Sequence, residues 1–136
     1  MALVAAAVAN DGVSVAPHVG VALRDAAGAT VRSLDGGPGV RLMSSATART
    51  LRSAMQAAVD QPGAFAAGAR IAGVAVAGKT GTAEVGGGAV PHGWFIGFAP
   101  AGDVQVAIAV VLENAPRGGE DAAPVAAAVF RALLRR

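Results

Sequence analysis

Ala77-Gly78-Lys79-Thr80-Gly81-Thr82-Ala83-Glu84 is the stretch on which the reading of this chain turns. Lys79 is the only lysine among eleven basic residues; the other ten are arginine. In a sequence so biased towards Arg, a Lys marks a place where a compact, deprotonatable ammonium does something that a guanidinium cannot. The run from Ile71 to Ala77 is apolar and partly β-branched, and the pattern continues through Thr80 and Thr82 until Gly86-Gly87-Gly88 stops it. This predicts a strand ending in a turn. Gly81 weakens such a strand for its own sake, and a glycine so placed often marks the close approach of another backbone or a ligand. An edge that presents an amine, hydroxyls and bare backbone suits an extended peptide carrying a carboxylate.

The bulk properties describe one globular unit. Of 136 residues, 54% are hydrophobic and 15% charged, which is apolar material for a single core and at most one domain. Much of that material is alanine and glycine, which bury little area each. The formal net charge is +2, and the arginines are scattered. A nucleic-acid surface needs a basic stripe with interleaved aromatics; four Phe and one Trp do not supply it. The absence of cysteine excludes disulfides and Cys-based metal sites. His18 and His92 lack metal-ligand spacing and read as structural, with His92 bonding or packing beside Trp94. Glu84 reads as solvated. No metal or cofactor is called for.

The remaining segments assemble around the Lys79 strand. Residues 1–9 are apolar but too short to span a bilayer, and no positive residue precedes them as a signal peptide requires. They predict a buried helix that ends at Asn10-Asp11-Gly12. Val13 to Leu23 reads as extended chain interrupted by Pro17, and Asp25 to Gly39 as a glycine-rich excursion with a strand near Thr30 to Leu34. Ser44 or Ser45 caps a helix running to about Val59, with Leu51, Met55 and Val59 as its buried stripe and Arg49 and Arg52 facing water. Asp60 to Gly68 is a loop. Val104 to Leu112 is apolar on both faces, which predicts a central strand. Trp94 to Ala99 is its expected neighbour, joined through the Pro100 to Asp103 turn, with the Lys79 strand one further out in an antiparallel meander. A last helix opens at Glu120-Asp121 with Pro124 in its first turn and closes with Arg131, Arg135 and Arg136. Its expected apolar face is Val125, Val129, Phe130, Leu133 and Leu134.

Lys79-Thr80-Gly81-Thr82 resembles the K-T-G element that penicillin-binding proteins and serine β-lactamases carry together with S-x-x-K and S-D-N. The continuation into Thr82-Ala83-Glu84, a glycine turn and His92-Gly93-Trp94-Phe95-Ile96-Gly97-Phe98-Ala99-Pro100 is similar to the class B penicillin-binding transpeptidases rather than the β-lactamases. The segment from Val104 to Asn114 and the helix after it complete a resemblance that runs through essentially the whole chain. None of Ser14, Ser33, Ser44, Ser45 and Ser53 begins an S-x-x-K or an S-x-N. The chain is therefore expected to be the C-terminal part of a transpeptidase domain over residues 1–136, with the S-x-x-K and S-x-N segments upstream and Met1 internal to a longer protein. The implied fold class is α+β, an antiparallel sheet flanked by helices.

The resemblance further implies a reaction. An active-site serine attacks the D-alanyl-D-alanine amide of a peptidoglycan stem peptide, forms an acyl-enzyme and passes the acyl group to an amine of a neighbouring stem. In that scheme Lys79 and Thr82 are catalytic, and Lys79, Thr80, Gly81 and Thr82 bind substrate. Lys79 orients the serine network and attracts the substrate carboxylate, the Thr80 and Thr82 hydroxyls bond that carboxylate, and the Thr82 N–H is one oxyanion donor. Strand alternation opposes this assignment, because Lys79 and Gly81 share one face and Thr80 and Thr82 the other. Expected partners are the stem peptide, β-lactam antibiotics and cell-wall synthesis or division proteins, with no nucleic acid. The expected location is the extracytoplasmic face of the bacterial plasma membrane, with the membrane reached only through an N-terminal segment outside this chain. Three competing readings stand beside this one: a D,D-carboxypeptidase of the same architecture, a non-catalytic peptide-binding or scaffold piece, and, for Lys79 alone, a solvated lysine that protects an open strand edge.

Overall fold

The protein was analysed as a computed structural model that describes residues 1–34 and 36–134. Residues Val106–Leu112 (β5), His92–Ala99 (β4) and Ala77–Ala83 (β3) form a three-stranded antiparallel sheet in the order β3-β4-β5. The meander read from the sequence is therefore present, and the class is α+β. The registers are regular: Lys79 stands opposite Ile96, Thr80 opposite Phe95 and Gly81 opposite Trp94, while Phe95 in turn faces Val110. A separate hairpin of Ala22–Arg24 (β1) and Thr30–Ser33 (β2) stands in the N-terminal half, where the glycine-rich excursion was expected.

Helices cover both faces of the sheet. On one face Phe98, Ala77, Ile96 and Ala107 pack with Ala5 and Val8 of Ala2–Ala9 (α1) and with Met55 of Ser45–Asp60 (α2). On the other, Phe95, Ile108 and Val110 pack with Val59 and with Ala122, Ala123, Ala126 and Phe130 of Ala122–Leu134 (α3). Side-chain alternation along β4 sends Phe95 and Phe98 to opposite sides and so divides the core in two. Ser44 is the N-cap of α2, its hydroxyl accepting from the Thr47 N–H at 3.1 Å, a bond that stabilises a helix by about 1 kcal/mol. The α1 helix ends at Asn10, and Gly12 at φ +89° returns its N–H to Ala7 at 2.8 Å.

Several expectations are corrected. The strand begins at Ala77, since Ile71 to Val76 forms a turn with a single bridge between Ile71 and Val74. Val106–Leu112 (β5), the strand expected to be central in a larger sheet, pairs among the described residues with β4 alone, and Val111 is 45% exposed. The α1 helix is buried on one side only, through Ala5, Ala7 and Val8, while Leu3 and Val4 are exposed. On α2 the buried positions are Ala48 and Val59, with Met55 half-buried and Leu51 exposed. Arg52 does not face water: it donates to the Ala9 carbonyl at 2.7 Å and ties α2 to the end of α1. On α3 the row Ala122, Ala126, Phe130 is buried and the bulkier Val125, Val129 and Leu133 are exposed. Alanine wins the inner face because it lets the helix axis approach the sheet. The expected closing residues Arg135 and Arg136 lie outside the described residues.

Candidate active site

Among the described residues β3 pairs with β4 alone, and an open groove of about 880 Å³ lies beside its other edge. Lys79, Thr80, Gly81 and Thr82 all line it. The conflict of faces noted in the sequence is resolved at the edge itself. Lys79, on the α1 side of the sheet, folds across so that Nζ donates to the Thr80 carbonyl, while Thr80 and Thr82 occupy the α3 side.

The segment between β5 and α3 forms the opposite wall and runs antiparallel to β3. Thr82 Oγ1 donates to the Pro116 carbonyl at 2.8 Å. Next along, Gly118 lies so close to β3 that a Cβ there would stand 2.6 Å from the Gly81 carbonyl and 2.5 Å from that of Trp94. Gly119 then reaches the Thr80 methyl, and a Cβ on it would stand 2.0 Å from the Phe65 carbonyl. The glycine pair thus exists to let this wall lie flat on the strand. Arg117 is held at the rim by Glu120 and by Asp121, whose carboxylate also accepts the Arg117 N–H at 3.1 Å.

The third wall is the turn from Gly63 to Phe65. It is fixed by the Ala64 N–H on Gln61 at 3.0 Å and the Ala66 N–H on Ala58 at 2.9 Å. Arg70 clamps the end of α2 next to it, with Nε on the Val59 carbonyl at 2.8 Å and a terminal N–H on Gln61 at 2.7 Å, a cation placed where the helix dipole is negative. Phe65 itself is 87% exposed at the groove.

The two glycines of the motif differ in kind. A Cβ on Gly78 would fall 2.2 Å from the Phe95 ring, so packing alone requires that glycine. A Cβ on Gly81 would meet only Trp94 Cβ at 3.5 Å, an ordinary contact. Packing among the described residues does not require Gly81. The hydroxyl of Thr82 has one proton, so of the two hydroxyls expected to bond a carboxylate, Thr80 and Thr82, that of Thr82 is committed here as a donor to the Pro116 carbonyl. Glu84 is exposed, as expected, and His92 is structural, its Nδ1 accepting the Asn114 N–H at 3.1 Å. Among the described residues no group of His, Asp or Glu could hold a metal ion.

Residues 1–135 match the model of the penicillin binding protein transpeptidase domain. The chain belongs to the penicillin-binding protein transpeptidase family. It is 40% identical over 145 residues to the peptidoglycan D,D-transpeptidase PbpA of Mycolicibacterium smegmatis, covering 98% of this chain and 28% of that protein. Against the peptidoglycan D,D-transpeptidase MrdA of Acinetobacter baumannii the identity is 36%, covering 96% of this chain and 21% of the relative. The chain thus spans about a quarter of the length of these curated relatives. Among solved structures, PBPA of Mycobacterium tuberculosis superposes with a TM-score of 0.83 at 37% identity, over 98% of this chain and 33% of that one. The ceftriaxone acyl-enzyme complex of penicillin-binding protein A from M. tuberculosis superposes at 0.86, with 35% identity over 98% of this chain and 31% of the other. In this penicillin-binding family chain, the residues that sequence reasoning missed are Phe65, Arg70, Pro116 and the Gly118-Gly119 pair. The glycine doublet just ahead of the Glu120-Asp121 helix start was the one legible signal; the others depend on the turn geometry.

Proposed function

We propose that the chain is the β3-bearing part of a peptidoglycan D,D-transpeptidase of the penicillin-binding type. The observation that carries the proposal is the open β3 edge, where Lys79, Thr80, Gly81 and Thr82 line one groove. Relatives named as D,D-transpeptidases support it along the whole chain. Residues 1–136 then form one portion of a transpeptidase domain, and the serine nucleophile and its S-x-x-K and S-x-N partners come from outside them, since no serine here begins either motif.

In this reading a stem peptide lies along β3 as an added strand. Its terminal carboxylate meets the Lys79 ammonium and the Thr80 hydroxyl, and the scissile carbonyl oxygen points at the Thr82 N–H, which stabilises the oxyanion as it forms. The serine oxygen bonds to that carbonyl carbon, the peptide C–N bond breaks, and the departing D-alanine amine takes up a proton. An amine of a second stem then displaces the serine and restores an amide. A β-lactam enters by the same attack and stays as an ester. By the same reading the protein works on the extracytoplasmic face of the plasma membrane beside other cell-wall synthesis or division proteins. Among the described residues no helix is long and apolar enough to cross a membrane, so attachment rests on a segment outside them.

The test is covalent labelling by a fluorescent penicillin. The full-length protein is expected to take a boil-resistant label at one site, whereas the 136-residue chain alone takes none. Lys79→Ala in the full-length protein lowers acylation by about 100-fold or more, the scale of a lost proton-transfer or charge-orienting group. Lys79→Arg restores part of it, because the charge returns with the wrong shape. Equal rates for wild type and Lys79→Ala would return Lys79 to a solvated edge residue, and a label on the short chain would put the nucleophile inside it.

A further inference from the structure

We propose that Phe65 is a specificity-determining residue that contacts the apolar substituent next to the ligand's carboxylate. This rests on the penicillin-binding reading above. The groove has a direction, set by the wall that runs antiparallel to β3: Pro116 stands at Thr82, Gly118 at Gly81, and Gly119 at both Thr80 and the Phe65 backbone. Phe65 is therefore at the Thr80 end. A ligand whose carbonyl oxygen sits at the Thr82 N–H places the next unit of an extended chain about 3.3 Å further along. That unit carries the carboxylate, and the hydroxyl of Thr82 already donates to Pro116, so the carboxylate is drawn towards Thr80 and Lys79. The side group attached beside it then falls against Phe65.

The state of Phe65 agrees with this use. An aromatic ring 87% exposed contributes almost nothing to the core of this chain. Yet its backbone is held between buried Ala66, the turn in which the Ala64 N–H bonds to Gln61, and the Gly119 backbone close to its carbonyl. A rigid aromatic on a fixed turn, beside polar donors, is an anchor that costs little ordering entropy when a ligand covers it. For a stem peptide the group it meets is the methyl of the terminal D-alanine. For a cephalosporin it is the substituent on the six-membered ring carbon beside the carboxylate.

The experiment uses the full-length protein and two cephalosporins with the same acylamino side chain, one bearing a bulky apolar group at that ring carbon and one bearing hydrogen. Second-order acylation constants are read by competition with fluorescent penicillin. Phe65→Ala is expected to slow the bulky compound about five- to tenfold, as loss of roughly half a Phe burial would give, and the hydrogen compound less than about twofold. Phe65→Leu, which keeps apolar surface, retains most of the discrimination. The melting temperature of both variants stays at the wild-type value. Equal slowing of the two compounds, no slowing of either, or a fall in melting temperature that tracks the loss would overturn the assignment. If wild type is acylated by neither compound nor by penicillin, the penicillin-binding reading itself fails; if wild type is acylated and Phe65→Ala shows no discrimination, this inference alone fails.

Discussion

Replacing each glycine of the motif by alanine in the full-length protein separates packing from ligand approach within four residues of one strand. At Gly78 the new Cβ would stand 2.2 Å from Phe95 Cζ and 2.5 Å from Cε2, about 1.2 Å inside the 3.4 Å at which ordinary contact begins. The ring has no room to retreat. It is fully buried, its own edge lies 2.8 Å from where a Cβ of Gly97 would be, and it is enclosed with Val59, Phe130 and the alanines of α3. Overpacking of this kind costs about 1–3 kcal/mol, offset by about 0.4–1 kcal/mol from the stiffer unfolded chain. The net is a loss of about 1–2 kcal/mol, or about 3–8 °C in melting temperature. At Gly81 the Cβ has space and the backbone is extended, so the melting temperature stays within about 2 °C of wild type. Acylation by penicillin, by contrast, falls at least about tenfold in Gly81→Ala, because the methyl occupies the approach to the strand. Thermal unfolding and label incorporation on the same preparations read both quantities. Equal destabilisation by the two substitutions, or wild-type acylation by Gly81→Ala, would refute the argument that one glycine serves the core and the other the ligand.

Two further outcomes follow from the same coordinates. Arg70→Ala removes two bonds to the Val59 and Gln61 carbonyls at the end of α2 and is expected to lower stability by about 1–2 kcal/mol, seen as a melting shift that Arg70→Lys recovers only in part. The 136-residue chain expressed by itself is expected to self-associate through β5, whose outer edge is unpaired among the described residues and carries exposed Val111; a monodisperse monomer in sedimentation velocity, with melting independent of concentration, would contradict this.

The parts of this fold that were legible in the sequence are those whose local signal and tertiary role agree. The Ser44 cap, the Asn10-Asp11-Gly12 stop, the β3-β4-β5 meander and the Lys79 edge all fall in that class. The misreadings share one physical cause, which is that periodicity ranks side chains by apolarity whereas packing ranks them by fit. On α3, Val125, Val129 and Leu133 are more apolar than the alanines, but the sheet admits only the alanine row with Phe130. Arg52 reads as solvated, yet its long stem lets the guanidinium reach the Ala9 carbonyl. β5 is apolar on both faces because α1 and α3 each contact it. Within the candidate groove, the position of Lys79 on a strand edge was legible in the sequence, while the presence of Phe65 and Pro116 was not, because they reach the groove through a turn and a backbone carbonyl that no spacing rule encodes.

The small-residue bias that lowers burial energy also makes the groove possible. Ala122, Ala123, Ala126 and Ala127 bring α3 close to β4, and that approach lays the preceding Pro116 to Gly119 segment onto β3. A leucine in the same row would lift the helix by the depth of a side chain and take the Pro116 carbonyl away from Thr82. The volume that alanine and glycine leave is filled by Phe95, Phe98 and Phe130, the three largest fully buried side chains. Phe95 lies across Gly78 and Gly97, so the residue immediately before Lys79 is pinned by the core while Lys79 itself is exposed. The ammonium therefore stands on a backbone that cannot shift without disturbing the fully buried Phe95 ring. If the proposed reading holds, and a peptide carbonyl and carboxylate are kept in register along this strand, that stiffness at the first residue and open space at the third are what the alignment needs.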